Sequence, residues 1–337
     1  MAEGKPGETL SRKRCLVTGS SGFIGSHMVN FLKNRGYWVR GVDVKPKSDC
    51  YLKTFEDEFY QLDLRVAENA VSMVKDIDYV FHLAANMGGI GYIMEVHSPV
   101  LYDNLMINLN MLEAARFEEV ERFFFSSSAC VYNRELQTMP DVTPLKESEV
   151  YPAWPDSVYG WEKLITEIAC ENYEKDYGLP VRIARFHNVM GPYGTYKGGR
   201  EKVPAALCRK VAEAHDGDKI EIWGDGKQTR SFLYIDDCCE AFYRLVLSDY
   251  NKPVNIGTDR LISIDDLARL ILKIADKNCD LYHDMSRWQG VRGRNADLTL
   301  VKSVIGWEPK TSLEEGLRRT YEWIGEVMHA DGFSSDR

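Results

Sequence analysis

Tyr159 and Lys163 stand four residues apart in Tyr159-Gly160-Trp161-Glu162-Lys163. On a helix that spacing puts both side chains on one face. An ammonium beside a phenol lowers the phenol's pKa from about 10 toward working pH. Such a phenol can exchange a proton with an alcohol. The pattern arises often by chance, so its neighbours decide its meaning. Ser126-Ser127-Ser128 closes an apolar run upstream, and Cys130 follows two residues after Ser128. A cysteine taken alone is more often a buried apolar residue than a reactive one.

A second constellation gives the pair a context. Thr18-Gly19-Ser20-Ser21-Gly22-Phe23-Ile24-Gly25 lies between an apolar run and a helical pattern. Gly19 allows a tight turn, Gly22 lets backbone approach a pyrophosphate, and Gly25 lets helix pack on strand. The helix N-terminus then offers free N–H groups to phosphate. Asp43 ends the next apolar run, 18 residues past Gly25. There it can bond ribose hydroxyls and repel a 2′-phosphate, favouring NAD over NADP. Lys45 and Lys47 lie close enough to weigh against that preference. Asp63 is the candidate on the adenine side. With a dinucleotide bound, the phenol and ammonium suit hydride exchange between an alcohol carbon and a nicotinamide.

These residues need elements to hold them. Strands are expected at Arg14–Thr18, Trp38–Asp43, Glu58–Leu62, Tyr79–Leu83, Arg122–Ser127 and Val181–Phe186. Helices are expected at Phe23–Arg35, Pro99–Phe117 and Ser157–Asp176. The alternation predicts an α/β fold, a Rossmann-type doubly wound parallel sheet covered on both faces. Beyond Phe186 the texture changes. Gly191–Gly199 reads as a long loop, Lys202–His215 as a helix, and Ile220–Trp223 and Ser231–Ile235 as short strands. Helices follow at Asp236–Val246, Ser263–Asp276 and Ser312–Val327. The division expected is a flexible tail at 1–13 and a dinucleotide-binding domain at 14–190, to which 232–257 return. A smaller C-terminal α/β substrate lobe takes 191–231 and 258–330.

Composition narrows the function. The 337 residues carry 42 Lys plus Arg against 51 Asp plus Glu, a net charge of -9, which argues against nucleic-acid binding. The uncharged stretch Tyr79–Met94 is too short for a membrane span. Met1–Arg14 has no apolar core of a secretory signal. The eight cysteines form no CxxC pair and no metal-like spacing, so reduced thiols in the cytoplasm and no metal are expected.

Taken together these motifs resemble the extended short-chain dehydrogenase/reductase family, the nucleotide-sugar epimerases and dehydratases. The likeness runs from about Arg14 to Glu326. His82-Leu83-Ala84-Ala85, Asn188-Val189-Met190-Gly191-Pro192, Trp223-Gly224-Asp225-Gly226 and Tyr234-Ile235-Asp236-Asp237 support it. The resemblance implies NAD as cofactor and adds Phe23, Ile24, Leu64 and Ala84 to its site.

Three stretches resemble a branch that inverts carbons 3 and 5 of a GDP-hexose through a 4-keto intermediate. They are Ala84–Gly91, Ser127–Tyr132 and Gly194–Lys202, with Val291–Asn295 further on. The resemblance implies Tyr159 as base, Lys163 on the cofactor ribose, Ser128 on the sugar oxygen, and Cys130 and Lys202 as the acid–base pair. It implies substrate contacts from Gly88, Asn188, Glu201, Lys210, Gln228, Arg230 and Arg294. A thiol near pKa 8.5 needs a cationic neighbour to act as base, and a lysine near 10.4 needs desolvation to act as acid. Asn86 stands where that branch usually has aspartate, and Met190 where tyrosine is usual. A homodimer through Pro99–Phe117 and Ser157–Asp176 is also implied. The rivals are a UDP-sugar 4-epimerase and a non-catalytic NAD-binding protein.

Overall fold

The computed structural model describes residues 12–330. Most of the expected tail, residues 1–11, lies outside them, and Lys13 donates to Asp78 at 3.1 Å. Seven parallel strands form one sheet in the order Val254–Ile256, Val181–Phe186, Arg122–Ser128, Tyr79–His82, Arg14–Thr18, Trp38–Asp43, Glu58–Gln61. The strands are near-continuous apolar runs because both faces are covered. One face packs on helices Phe23–Asn34, Ile235–Leu247 and Thr299–Ile305, with Phe81, Phe124 and Phe242 at its centre. The other packs on Ala67–Val74, Ser98–Phe117 and Val158–Tyr177, around Phe123, Phe125 and Met111. This is the Rossmann-type doubly wound fold expected from the alternation.

Chain order reverses between Arg14–Thr18 and Tyr79–His82. Their carboxyl ends therefore border the crevice where such sheets bind ligands. A third core lies beside that crevice. Helices Val203–Glu213, Ile264–Ala275 and Leu313–Ala330 gather there around the paired strands Lys219–Trp223 and Asp280–Asp284.

Most expected elements match to within a few residues. The run Ser231–Ile235 does not form one strand. Thr229–Arg230 pairs with Ile262–Ser263 and Gly293–Arg294, whereas Leu233–Tyr234 pairs with Val189–Met190. The chain changes sheets between them, and an apolar run carries no mark of that. Helices Ala67–Val74, Ile90–Glu95 and Thr299–Ile305 were not expected; they are short, with few turns to show a period.

Glu167 of helix Val158–Tyr177 pairs with Arg185 of the strand Val181–Phe186 at 2.7 Å, both about 3% exposed. Removing one partner strands the other charge in the core. Glu167→Ala is expected to lower unfolding stability by about 3–5 kcal/mol, read by urea denaturation.

Candidate active site

The glycine loop is shaped for a close-lying ligand. Gly19 has φ +69°, and a Cβ on it would lie 3.0 Å from the Ala84 backbone. A Cβ on Gly25 would lie 2.1 Å from the Gly19 carbonyl oxygen. Helix Phe23–Asn34 starts at Gly22 with no side chain capping its N–H groups. Phe23 and Ile24 form its first turn, and the Phe23 ring lies 3.3 Å from where a Cβ on Gly194 would be, so the cradle reaches the 191–199 loop. Asp43 is 8% exposed and accepts the N–H groups of Ser21 (3.0 Å) and Lys45 (2.9 Å). Burial pushes its carboxyl up, and those amides pull it back.

Lys47 lies 2.9 Å from Glu56, whose side chain is almost fully buried. That partner neutralises one of the two lysines that weighed toward NADP. Asp63 is engaged by Arg65 at 2.6 Å, which holds its carboxyl below the usual range, and Leu64 beside it is buried. The cradle, the uncapped helix end and the acid at the strand end fit a dinucleotide without a 2′-phosphate.

Ser128 ends its strand and accepts the N–H of Cys130 at 3.2 Å, capping the turn Ala129–Val131. Helix Val158–Tyr177 begins against this turn. A Cβ on Gly160 would lie 2.2 Å from the Cys130 carbonyl oxygen, so only glycine permits the approach. Tyr159 is thereby buried beside Ser128 and Cys130. The Lys163 ammonium lies 5.6 Å from the Tyr159 ring centroid and 4.8 Å from that of Phe125.

The expected lowering of the phenol is not what this arrangement gives. Burial, then the charges of Glu162 and Cys130, hold Tyr159 well above the ordinary phenol range, and the Ser128 hydrogen bond opposes them. The spacing put Lys163 on the right face; it could not show that the Glu162 carboxylate lies 3.8 Å from the ammonium.

Cys130 has the cationic neighbour that its chemistry calls for. Arg294 donates to its sulfur at 3.2 Å and to Asp156 at 3.2 Å. Burial opposes the guanidinium's charge, but Cys130 and Asp156 hold it above its usual range. Lys202 precedes helix Val203–Glu213, and burial lowers its amine while Cys130 and Cys238 act the other way. Gly88-Gly89 abuts this segment: Gly89 donates to the Arg200 carbonyl at 3.0 Å, and a Cβ there would lie 2.3 Å from that of Glu201.

Two buried oxygens here lack hydrogen bonds, although Glu201 Oε1 lies 3.8 Å from Arg209. Gln228 Oε1 and Glu201 Oε2 are buried and unbonded, though Gln228 Nε2 donates to the Trp223 carbonyl at 3.0 Å. Arg230 donates to two carbonyls, of Thr229 (2.7 Å) and Gln289 (3.4 Å). Burial and the neighbouring Arg294 push it down to about 9. A half-buried guanidinium hydrogen-bonded only to neutral oxygens suits an anion. Lys210, in contrast, is paired with Glu221 at 2.6 Å, and Asn188 donates to the Ser231 carbonyl at 3.1 Å.

Asn86 donates to Asp103 at 2.8 Å and accepts from Tyr92 at 2.7 Å. An aspartate at that position would set two carboxylates together. Met190 packs in the core against Gly316. Sequence reasoning missed Asp156, Gln137, whose Oε1 accepts from Arg294 Nε, and Glu162. Asp156 and Gln137 belong to no motif; Glu162 stood inside one and drew no attention.

The residues from 15 to 257 match the model of the NAD dependent epimerase/dehydratase family. The chain belongs to that family. It is 48% identical to a GDP-mannose 3,5-epimerase 1 of Oryza sativa subsp. indica, over 97% of this chain and 84% of that protein. Identity with a UDP-glucuronic acid decarboxylase 1 of Xenopus tropicalis is 30%, over 94% of this chain and 73% of that protein. Among solved structures, a UDP-glucose 4-epimerase with UDP-glucose from Thermotoga maritima superposes with a TM-score of 0.84 at 31% identity, covering 94% of this chain and 99% of the other.

Arg294 donates directly to the Cys130 sulfur, so removing it should change how that sulfur reacts. Arg294→Gln is expected to slow alkylation of Cys130 by iodoacetamide about tenfold at neutral pH, read by mass spectrometry. An unchanged rate would show that Arg294 does not govern the sulfur.

Proposed function

We propose that this chain epimerises GDP-mannose at carbons 3 and 5, through a transient 4-keto sugar, to GDP-L-galactose, and to GDP-L-gulose where carbon 5 alone inverts. One observation carries the reading: a cysteine held by a guanidinium and a desolvated lysine share the pocket that buries Tyr159. The likeness to the Oryza enzyme points to the same reaction.

NAD, when bound, supplies the hydride acceptor at the start of the cycle and the donor at its end. Tyr159 takes the proton of the carbon-4 hydroxyl and later returns it. Ser128 orients that oxygen, and Lys163 holds the cofactor ribose. The 4-ketone acidifies the hydrogens on carbons 3 and 5, because either carbanion becomes an enolate. Inversion then needs a base on one face and an acid on the other. The sulfur of Cys130, held by the Arg294 guanidinium, is the base. Lys202, made a stronger acid by burial, gives its own proton to the opposite face, and solvent then resets both groups. Arg230 and Arg294 receive the diphosphate, and Glu201 and Gln228 offer acceptors to the sugar hydroxyls. We assign the sheet domain, 14–190 with 232–257, to NAD, and the lobe of 191–231 and 258–330 to the nucleotide sugar.

The alternative, a UDP-sugar 4-epimerase, is favoured only by the fold shared with the Thermotoga enzyme. That chemistry needs the tyrosine but no second acid–base pair, so it leaves Cys130, Arg294 and Lys202 without work.

We further propose a homodimer. Helices Ser98–Phe117 and Val158–Tyr177 leave Tyr102, Leu109, Trp161, Ile165 and Ile168 exposed. The last three fall at i, i+4 and i+7, one apolar stripe that a second copy would cover. We place the chain in the cytoplasm, a reducing compartment that suits eight unpaired cysteines. No helix among the described residues is long and apolar enough to cross a membrane.

Variants separate the two halves of the chemistry. Cys130→Ala and Lys202→Ala are each expected to cut epimer formation by about 10²–10⁴-fold. Both should still reduce bound NAD transiently on mixing with GDP-mannose, read by absorbance. Tyr159→Phe should lose both signals. Loss of the transient in Cys130→Ala as well would contradict the division of roles.

A further inference from the structure

Glu162 lies inside the Tyr159–Lys163 spacing, and its side chain is wholly buried. Asn104 Nδ2 donates to its Oε1 at 2.9 Å, and Asn108 Nδ2 to its Oε2 at 3.1 Å. Lys163 Nζ stands 3.8 Å from Oε1. The orientation of both amides is fixed from elsewhere. Asn104 Oδ1 accepts the N–H of Asn86 at 2.6 Å while its Nδ2 also donates to the Asn86 carbonyl at 3.1 Å. Its amino group therefore faces the carboxylate.

Asn108 is fixed by a longer route. Thr18 Oγ1 accepts the N–H groups of Leu83 and Ala84, each at 3.0 Å, so its own hydrogen goes to His82 Nδ1 at 2.9 Å. His82 Nε2 then carries the ring hydrogen and donates to Asn108 Oδ1 at 2.9 Å. Asn108 is left to point its amino group at Glu162. Burial presses His82 down to about 3, so the ring is neutral, as this chain requires. All hydrogens point one way, from the residue before the glycine loop to the carboxylate. A carboxylic acid at position 162 would need to donate a hydrogen where both amides already donate.

We propose that Glu162 is a positioning residue of this site: an ionised carboxylate, held by that one-way chain, that anchors the Lys163 ammonium beside the Tyr159 ring. The inference rests on the roles proposed for Tyr159 and Lys163. Burial pushes the Glu162 carboxyl up, and Lys163 with the two amides pulls it back. The charged groups facing the pair are few. Tyr159 shares their helix, and neutral His82 comes from the sheet. Glu167, one turn further on, is neutralised by Arg185. Cys130 faces Tyr159 from the turn after the strand. In such a dry setting the carboxylate's charge acts strongly on its neighbours. The two ends of the chain, beneath the cofactor loop and beside the catalytic helix, are mechanically joined.

The test reads Tyr159 directly and needs no turnover. Protein labelled with carbon-13 at the tyrosine ζ-carbon is titrated as the NAD-loaded enzyme. The Tyr159 resonance is assigned by its loss in Tyr159→Phe. In Glu162→Gln the pH at which this resonance begins to move is expected to fall by about one unit or more. Glu162→Asp, which keeps the charge, should restore the wild-type titration. Asn108→Ala, which weakens the carboxylate's hold on its charge, should give a smaller fall and serves if Glu162→Gln does not fold. A purely structural Glu162 would lower stability and leave every titration in place, and that result would overturn the proposal. Failure of GDP-mannose to react would leave this measurement unaffected, so the two readings fail separately.

Discussion

One missing side chain sets the geometry of the site. Helix Val158–Tyr177 approaches the Cys130 carbonyl so closely that a Cβ on Gly160 would overlap it at 2.2 Å. Because that contact is permitted, Tyr159 is buried beside Ser128 and Cys130. The Ser157 cap starts the helix at the position that presents Tyr159. Arg294 reaches Cys130 from the short strand Gly293–Arg294, so the thiol sits where the end of the sheet, the helix and that strand meet. A larger residue at 160 would separate the phenol from the residues around which the proposed chemistry is built.

Charge is used locally and against the overall balance. The chain carries a net charge of -9, yet a buried Arg294 and a half-buried Arg230 act on each other in the cleft. Asp156 answers Arg294, and carbonyls answer Arg230. Elsewhere cations are consumed by partners: Lys210 by Glu221, Lys47 by Glu56, Arg65 by Asp63 and Asp103. The cations left for an anionic ligand are therefore fewer and better placed than a count of lysines and arginines suggests.

Legibility in the sequence followed periodicity and spacing. Buried strands such as Arg14–Thr18 and Val181–Phe186 declared themselves as apolar runs, and Gly19, Gly25 and Asp43 by their intervals. The long helices 98–117 and 158–177 had enough turns to show a pattern; Ala67–Val74 and Thr299–Ile305 did not. The switch of sheets between Arg230 and Leu233 is a tertiary event with no local signature. Cys130 and Lys202 could be singled out only by likeness to a family. What makes each chemically fit, the Arg294 guanidinium and desolvation, comes from residues distant in sequence or from packing. Glu162 shows the opposite case. It lay in plain view within a recognised motif, but its charge acquires meaning only from Asn104, Asn108 and His82.

The account turns on proton exchange at two sugar carbons inside a closed redox cycle. Proton NMR of GDP-mannose, incubated with the protein in deuterated water, tests this most directly. The expected result is galacto and gulo products carrying deuterium at carbon 5, and at carbon 3 in the galacto product. Conversion to a 4-epimer with no deuterium at either carbon, or no conversion even when NAD is supplied, would contradict it.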